Sequence, residues 1–171
     1  NDEYGITFLG NKDEEGRFKY SLTSIKPVSY RFVFESKEKS LDNRQVRYFT
    51  FMGNKDVERF DVGDEDSFDG QMKWVGLDFN FHLFAAVFDK NKLVRAVNKN
   101  GILTVDFVEP TQGLDTYFVF VKKNYDLLAK LGDKLELSVD FGIFGILAVP
   151  ILRGIQFVYK YIHHLNQELQ Y

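Results

Sequence analysis

Histidine is the side chain most often used for acid–base catalysis and for zinc binding, and the chain has three histidines. His163 and His164 are neighbours in a segment of helical periodicity, so their side chains point about 100° apart. They cannot form the i, i+4 pair that binds zinc on a helix. His82 lies in the aromatic run Phe79–Phe84 and is either an outward-facing or a satisfied buried residue of a strand. The histidines therefore predict neither a catalytic centre nor a metal site.

Other reactive groups are equally sparse. The chain has no cysteine, which excludes disulfides, thiolate metal sites and cysteine nucleophiles. No serine stands in a nucleophile-elbow sequence, and no glycine-rich loop is suited to cradle a phosphate. Asp61–Asp69 holds five carboxylates, but their spacing differs from that of a calcium loop and fits a solvated loop. The sequence predicts no enzyme, no cofactor and no metal.

The composition indicates a folded protein with little affinity for nucleic acid. The 171 residues are 44% hydrophobic and 27% charged, which suits one domain, or one domain with an appendage. The net charge of −3 leaves no basic footprint for nucleic acid. Aromatic residues reach 16% of the chain, and such bulky, flat side chains favour strands.

Alternation of apolar and polar residues predicts strands through most of the chain. It is clearest from Val28 to Glu35, where every second residue is apolar. The other predicted strands are Gly5–Leu9, Phe18–Ile25, Val46–Met52, Trp74–Phe88, Leu93–Val97, Ile102–Val108, Tyr117–Val121 and Leu135–Phe141. Many short strands with few helices predict a mainly β protein built as an antiparallel β-sandwich.

Two segments have helical periodicity instead. Asn124–Leu131 carries leucines at helical spacing, and Gly132 is a suitable C-terminal cap. Near the C-terminus an uncharged run of 12 residues ends at Arg153, which is too short for the ~20 apolar residues of a membrane span. Pro150 suits a first helical turn, so an amphipathic helix is predicted from there to Tyr171. We expect a β domain at residues 1–142, including the short helix at 124–131, and a linker with the amphipathic helix at 143–171.

The predicted C-terminal helix has an apolar arc that covers about half of its surface. The opposite side collects polar residues such as Arg153, Gln156 and Lys160. This helix either packs on the sandwich or lies in a membrane interface with its aromatic rings at headgroup depth. In the second case, the residues expected to meet the membrane or a partner are Ile151, Leu152, Ile155, Phe157, Val158, Tyr161, Ile162 and Leu165.

The last third of the chain combines these elements in a distinctive order. Phe107–Gly113 (FVEPTQG) leads into a strand and the short helix, and Leu135–Gly142 (LELSVDFG) leads into an apolar run and the amphipathic helix. This order resembles the YidC membrane protein insertases, whose large extracytoplasmic domain ends with an "(L)xLxVDYG" segment and an interfacial helix. Trp74–Gly76 and Phe84–Ala86 resemble two earlier strands of that family more loosely. The resemblance covers about residues 74–171.

The resemblance implies a fold, a location and a set of partners. The fold would be a β-supersandwich similar to the galactose mutarotases, followed by a helical part. The chain would belong to the periplasmic or extracytoplasmic side of a bacterial inner-membrane protein that inserts other membrane proteins. Its partners would be the transmembrane region of the parent protein, the membrane surface and accessory subunits of the Sec translocon. The start at Asn1 and the helical pattern that runs to Tyr171 lead us to expect a piece of a longer chain.

A second hypothesis is a soluble carbohydrate- or peptide-binding sandwich. The aromatic residues of the strands would then line a groove, with Trp74, Phe79, Phe81 and Phe84 as candidates, although strand aromatics more often belong to the core. A mutarotase-like fold also suggests an epimerase, which needs a general acid and a general base at the anomeric oxygen. The histidines do not favour that third hypothesis.

Overall fold

A computed structural model describes residues 7–12, 17–36, 46–139 and 145–168. Its internal contacts divide the chain into two compact units, Asn1–Ser138 and Val139–Tyr171. The boundary predicted between residues 142 and 143 lies outside the described residues and stays a prediction.

Within the described residues the first unit is an antiparallel assembly of nine strands. The elements are β1 (Thr7–Lys12), β2 (Phe18–Val28), β3 (Arg31–Glu35), β4 (Val46–Met52), β5 (Val57–Asp61), β6 (Asp66–Phe79), β7 (His82–Lys99), β8 (Ile102–Phe107), β9 (Thr111–Lys122), the helix α1 (Tyr125–Leu131) and a 3₁₀-helix at Leu135–Ser138. The main sheet has the order β1-β2-β9-β7-β6-β4-β5, and β8 joins β3 to β7.

The long strands β6 and β7 belong to both layers of a sandwich. The first half of β7 pairs with β9 and its second half with β8. The second half of β6 pairs with β4, while its first half pairs with β7 alone. The halves meet at a register shift, where Met72 pairs with Lys92 but Trp74 pairs with Val87. Such an irregularity bends a strand pair, so one sheet folds over itself. The predicted β-sandwich is confirmed.

Lys73 holds this bend. A register shift leaves main-chain carbonyls without a ladder partner, and a buried unpaired carbonyl costs free energy. The Lys73 ammonium donates to the carbonyl oxygens of Phe88 at 2.8 Å and Asp89 at 2.9 Å. Its Nζ atom also stands 3.4 Å from Oδ1 of Asp133, after α1. One side chain therefore ties β6, β7 and the segment after α1 together.

An aromatic core fills the space between the two layers. Phe51 on β4 meets Phe68 on β6 with ring centroids 4.9 Å apart. On the other side of the core, Phe88 on β7 meets Phe107 on β8 at 5.0 Å. Both Phe51 and Phe88 are fully buried, and burying a side chain of this size stabilises by roughly 1.5–3 kcal/mol.

The other face of the main sheet is covered by the helical segment. Trp74 is fully buried there, and its indole N–H donates to the carbonyl of Asp133 at 3.0 Å. Arg59 on β5 donates to the carbonyls of Leu137 and Ser138, each at 3.1 Å. Around β4, β5 and β6 the main sheet is thus covered on both faces, which explains why Trp74 and Phe51 are both in the interior although they point to opposite sides.

The structure confirms the predicted short helix and its C-terminal cap, Gly132, and it places Asn124 at the N-cap, one residue before the helix. The side chain of Asn124 accepts from the backbone N–H of Leu127, and Gly132 follows the helix with a φ of 82°. A side-chain oxygen at the N-cap satisfies one of the unpaired N–H groups of the first turn. Val46–Met52 is also confirmed, residue for residue, as β4.

Several boundaries predicted from the sequence are wrong. Trp74–Phe88 spans two strands, because the hairpin turn between β6 and β7 falls at residues 80 and 81. The predicted strand Leu135–Phe141 begins as a 3₁₀-helix, and residues 140 and 141 lie outside the described residues. A 3₁₀-helix has three residues per turn, so Leu135 and Ser138 share one side, and both are buried.

The acidic segment and the short strand before it also differ from expectation. The segment predicted as a solvated loop turns only at residues 62–65, and its last four residues begin β6. The turn is held by Asn98, whose side-chain amide donates to the carbonyls of Asp61 at 2.7 Å and Asp64 at 2.8 Å. The strand β5 had no alternating signal long enough to predict it.

We predict that Lys73→Met lowers the free energy of unfolding by about 2 kcal/mol, because the partly buried carbonyl of Phe88 loses its charged donor. Methionine keeps the apolar stem and removes only the donor group. The matched control is Lys19→Met, whose ion pair with Asp115 is exposed and should contribute little. Urea unfolding measures both variants. Equal losses in the two variants would show that the bend does not depend on Lys73.

Candidate functional site

The second unit contains one long helix, α2, at Gly145–Glu168. It begins five residues earlier than predicted, so Pro150 lies inside the helix. The sequence Gly145–Val149 continues the helix because leucine and alanine are strong helix formers. Proline has no N–H to donate to the carbonyl four residues back, so one helical hydrogen bond is missing there. No helix among the described residues is long and apolar enough to cross a membrane.

Every α2 side chain that the structure describes is exposed, including the large apolar ones. Ile155 is 61% exposed and Phe157 is 73% exposed. The predicted interface residues that are exposed in the structure are Ile151, Ile155, Phe157, Val158, Tyr161 and Ile162. The side chains of Leu152 and Leu165, together with those of His163 and His164, lie outside the described residues.

Four of the exposed apolar residues of α2 form an arc, whereas Phe157 falls on the side of Arg153. At about 100° per residue, Ile151, Ile155, Val158 and Ile162 fall within a narrow sector, with Tyr159 beside it. The polar residues Arg153, Gln156 and Lys160 occupy the opposite sector. An apolar sector of this width favours burial in an apolar environment rather than in water.

The four aromatic candidates for a groove do not share one surface. Trp74 is fully buried beneath the segment after α1, so its ring is closed to a ligand. Phe84 is half-buried and packs against the main core, with its ring 5.8 Å from that of Phe118. Phe79 is also half-buried. Phe81, in the turn between β6 and β7, is 64% exposed.

Four aromatic side chains lie near the turn between β6 and β7, and we call Phe79, Phe81, His82 and Phe120 the aromatic surface. Phe81 and Phe120 are exposed, and Phe79 and His82 are half-buried. His82 stacks on Phe120 with ring centroids 5.3 Å apart and planes inclined by 9°. Phe79 meets Phe120 edge-on at 6.3 Å. Phe120 is 64% exposed. The sequence analysis missed Phe120, although its alternation with Phe118 in β9 is a signal that could have placed it beside Phe84.

A buried ion pair anchors the turn that carries this surface. Lys123 Nζ lies 2.6 Å from Oδ1 of Asp78, which is almost completely buried. The other carboxylate oxygen of Asp78 accepts from Thr50 Oγ1 at 3.0 Å. Lys123 also donates through its ammonium to the carbonyl of Phe79 and through its backbone N–H to the carbonyl of Phe81. The hairpin turn is therefore fixed at both ends to a single residue.

The geometry of these residues suits binding. The His82 ring contacts a phenyl ring, which supplies neither a proton nor a charge for acid–base chemistry. Within the described ranges, no three His, Asp or Glu side chains stand close enough to hold a metal ion. Exposed apolar surface, by contrast, is what a partner protein or a membrane recognises.

Comparison with known proteins points to one group of relatives. No protein-family model matches the chain. The chain is 28% identical over 175 residues to the membrane protein insertase YidC of Geobacter metallireducens, covering 94% of the chain and 32% of that protein. It is 30% identical over 165 residues to YidC of Shewanella amazonensis, covering 87% and 28%. It is 29% identical over 108 residues to YidC of Geotalea daltonii, covering 57% and 20%. The chain spans about a third or less of the length of these relatives.

We predict that Lys123→Met lowers the free energy of unfolding by about 3 kcal/mol, because it leaves the Asp78 carboxylate buried without a counter-charge. The double variant Asp78→Asn/Lys123→Met should cost less than the single change, because asparagine is neutral and still accepts from Thr50. Urea unfolding of the single and double variants measures this coupling. A double variant at least as unstable as Lys123→Met would contradict it.

Proposed function

This chain is a YidC-derived domain, and we propose that it serves a membrane protein insertase as an extracytoplasmic interaction and positioning domain. In this role it does no chemistry of its own. It stands on the outer side of the bacterial inner membrane, in the periplasm or its equivalent. Its partners are the transmembrane region of its parent protein, the membrane surface and accessory subunits of the Sec translocon. The parent protein inserts and helps to fold other membrane proteins, and this domain positions the membrane-spanning part of the parent protein.

The exposed apolar arc of α2 is the observation that carries this proposal. Burying one large aliphatic side chain is worth roughly 1.5–3 kcal/mol, so the four residues of the narrow sector strongly favour an apolar environment. Tyr159 and Tyr161 are suited to headgroup depth, because a tyrosine has an apolar ring and a polar tip. Arg153 and Lys160 on the opposite side would reach water or anionic headgroups. These features support a helix that lies in the membrane interface.

A helix in the interface can position the membrane-spanning part of its parent protein. A helix is stiff over its length, and α2 would span about 36 Å at 1.5 Å per residue. If its apolar arc is held at the membrane surface, the height and tilt of an adjacent membrane-spanning helix are restricted. The β-sandwich of the first unit then acts as a rigid extracytoplasmic body for partner contacts.

The aromatic surface supports a second candidate function, which is binding of an extended apolar peptide or a sugar. Exposed rings in stacked contact offer flat, poorly hydrated area that suits either ligand. In this hypothesis the sandwich itself is the functional part, and α2 needs no membrane. The first function predicts that α2 binds lipid vesicles, and the second predicts that the sandwich binds peptides or glycans.

For the first function, we predict that Ile155→Glu/Val158→Glu reduces the fraction of this chain bound to phosphatidylethanolamine–phosphatidylglycerol vesicles by at least about tenfold, because each change removes an apolar anchor. The matched control is Gln156→Glu/Lys160→Gln, which alters the charge by the same amount on the polar side. Vesicle sedimentation measures binding. Binding that falls equally in both variants would assign the effect to charge and would contradict an apolar anchor.

The same pair of variants tests the role in cells. We expect a full-length insertase with Ile155→Glu/Val158→Glu to support growth poorly when it is the only copy, while the control pair supports growth normally. The abundance of both variants in the membrane must be equal. Normal growth with the apolar arc disrupted, and also with α2 deleted, would remove the positioning function.

For the second function, we predict that Phe120→Ser weakens binding of an unfolded apolar peptide by about tenfold, because a stacked, exposed ring loses its contact with the ligand. Phe18→Ser is the control, since Phe18 is an exposed aromatic residue of β2 outside the aromatic surface. Fluorescence anisotropy of a labelled peptide measures binding. The absence of saturable binding across a panel of peptides and glycans would exclude this function.

A further inference from the structure

An open cavity of about 430 Å³ lies where the sandwich bends. It is lined by the turn between β4 and β5, by the turn after α1, by β7 and by Lys73 of β6. Ligand sites for small molecules commonly have volumes of roughly 300–1,000 Å³. The residues that matter for its chemistry are Gly53, Asn54, Lys55, Asn91, Asp133 and Lys134.

The first wall of the cavity is held in place by β6. Oδ1 of Asn54 accepts from the backbone N–H of Gln71 at 2.8 Å. The amide of Asn54 lies directly over Gly70, where a Cβ atom would come within 2.7–2.8 Å of both its oxygen and its nitrogen. A side chain at position 70 would therefore displace Asn54. Because position 70 is glycine, Asn54 can keep its hydrogen bond to Gln71, and this bond holds the turn that carries Lys55 beside the cavity.

The second wall is held by two consecutive residues of β6. Lys73 pairs with the carboxylate of Asp133, and Trp74 donates to its carbonyl. Asp133 and Lys134 both have left-handed backbone conformations, with φ values of 55° and 59°. This conformation costs a non-glycine residue roughly 1–2 kcal/mol, and such residues cluster at ligand sites. Two in succession hold Lys134 at the edge of the cavity.

The charge of the cavity is opposite to that of the chain. Three ammonium groups, from Lys55, Lys73 and Lys134, line the cavity together with the carboxylate of Asp133. A second carboxylate, from Glu58, lies 3.4 Å from the Cβ position of the lining residue Gly53, so an excess of one positive charge remains in a chain of net charge −3. Lys73 is engaged by two carbonyls and by Asp133. Lys55 and Lys134 have no ion-pair partner among the residues that the structure describes, and both are exposed.

From this geometry we propose that the cavity binds a phosphate-type oxyanion, held between the ammonium groups of Lys55 and Lys134. The two lysines come from two different turns that line the cavity, so a tetrahedral anion with two charges between them can accept a charge-assisted hydrogen bond from each. The side-chain amide of Asn91 lines the same cavity and donates to Oε1 of Gln71 at 3.5 Å, which leaves its second N–H as a further neutral donor. The cavity volume leaves room for the organic group of a phosphorylated headgroup. This inference does not depend on the function proposed for α2.

Two probes distinguish the sources of such a phosphate. Inorganic phosphate represents a free anion, and dihexanoyl phosphatidylglycerol below its micelle concentration represents a lipid headgroup. Amide NMR spectra of the chain report binding residue by residue. Trp74 is the only tryptophan, and its hydrogen bond to Asp133 makes its fluorescence a second reporter of the same site.

The test compares two double variants that lose the same charge. Lys55→Gln/Lys134→Gln should weaken binding of the tighter probe by at least about tenfold, because each lost charge-assisted hydrogen bond has a large effect. Lys26→Gln/Lys122→Gln removes two exposed lysines outside the cavity and should change binding less than twofold. We expect saturable shifts of the amides of Lys55, Asn91 and Lys134. Tighter binding of the lipid would identify a headgroup site, and equal binding would identify a free-anion site.

Two results would overturn the proposal. One is the absence of saturable shifts at the cavity with both probes up to tens of millimolar. The other is equal weakening in the two double variants, which would show only a general attraction of anions to lysines. Thermal unfolding of both double variants confirms that any loss of binding is not a loss of fold.

Discussion

The ammonium group of Lys73 is the contact on which the first unit depends. At the bend between the layers, Lys73 donates to the carbonyls of both Phe88 and Asp89. A lysine carries three donors on one atom, so the same group can also pair with Asp133. Lys73 thus contributes to the bend of the sheet, to docking of the segment after α1 and to the shape of the lysine-lined cavity. A neutral amide at position 73 could not satisfy all three acceptors.

The residues that stabilise the first unit differ from those that are open to a partner. Around β4 and β6 both faces of the main sheet are covered, one by aromatic packing around Phe51 and Phe88 and the other by the segment that Trp74 and Arg59 hold. Features open to a partner lie at the periphery of the first unit, in the aromatic surface and in the cavity, and along α2 in the second unit. This arrangement suits the proposed role as an interaction and positioning domain.

The sequence predicted elements wherever a local rule decides the structure. Alternation identified β4, and the leucine spacing together with the cap residue Gly132 identified α1. Prediction from the sequence failed where contacts between distant parts of the chain decide the structure. Leu135 and Leu137 alternate as in a strand, yet Arg59 satisfies the carbonyls of Leu137 and Ser138 in place of a neighbouring strand. For the candidate sites, the apolar arc of α2 could be predicted because it is a periodic pattern. The cavity could not, because its lysines come from segments about 80 residues apart in the sequence.

The central claim is that the apolar arc of α2 lies in the membrane interface, and a cysteine scan of the full-length insertase in bilayers tests it most directly. This chain has no cysteine, so within the domain each introduced cysteine carries a polarity-sensitive label at a single site. The account predicts apolar emission and protection from an aqueous quencher at positions 151, 155, 158 and 162. Positions 153, 156 and 160 should remain accessible. Equal accessibility at all seven positions would contradict the account.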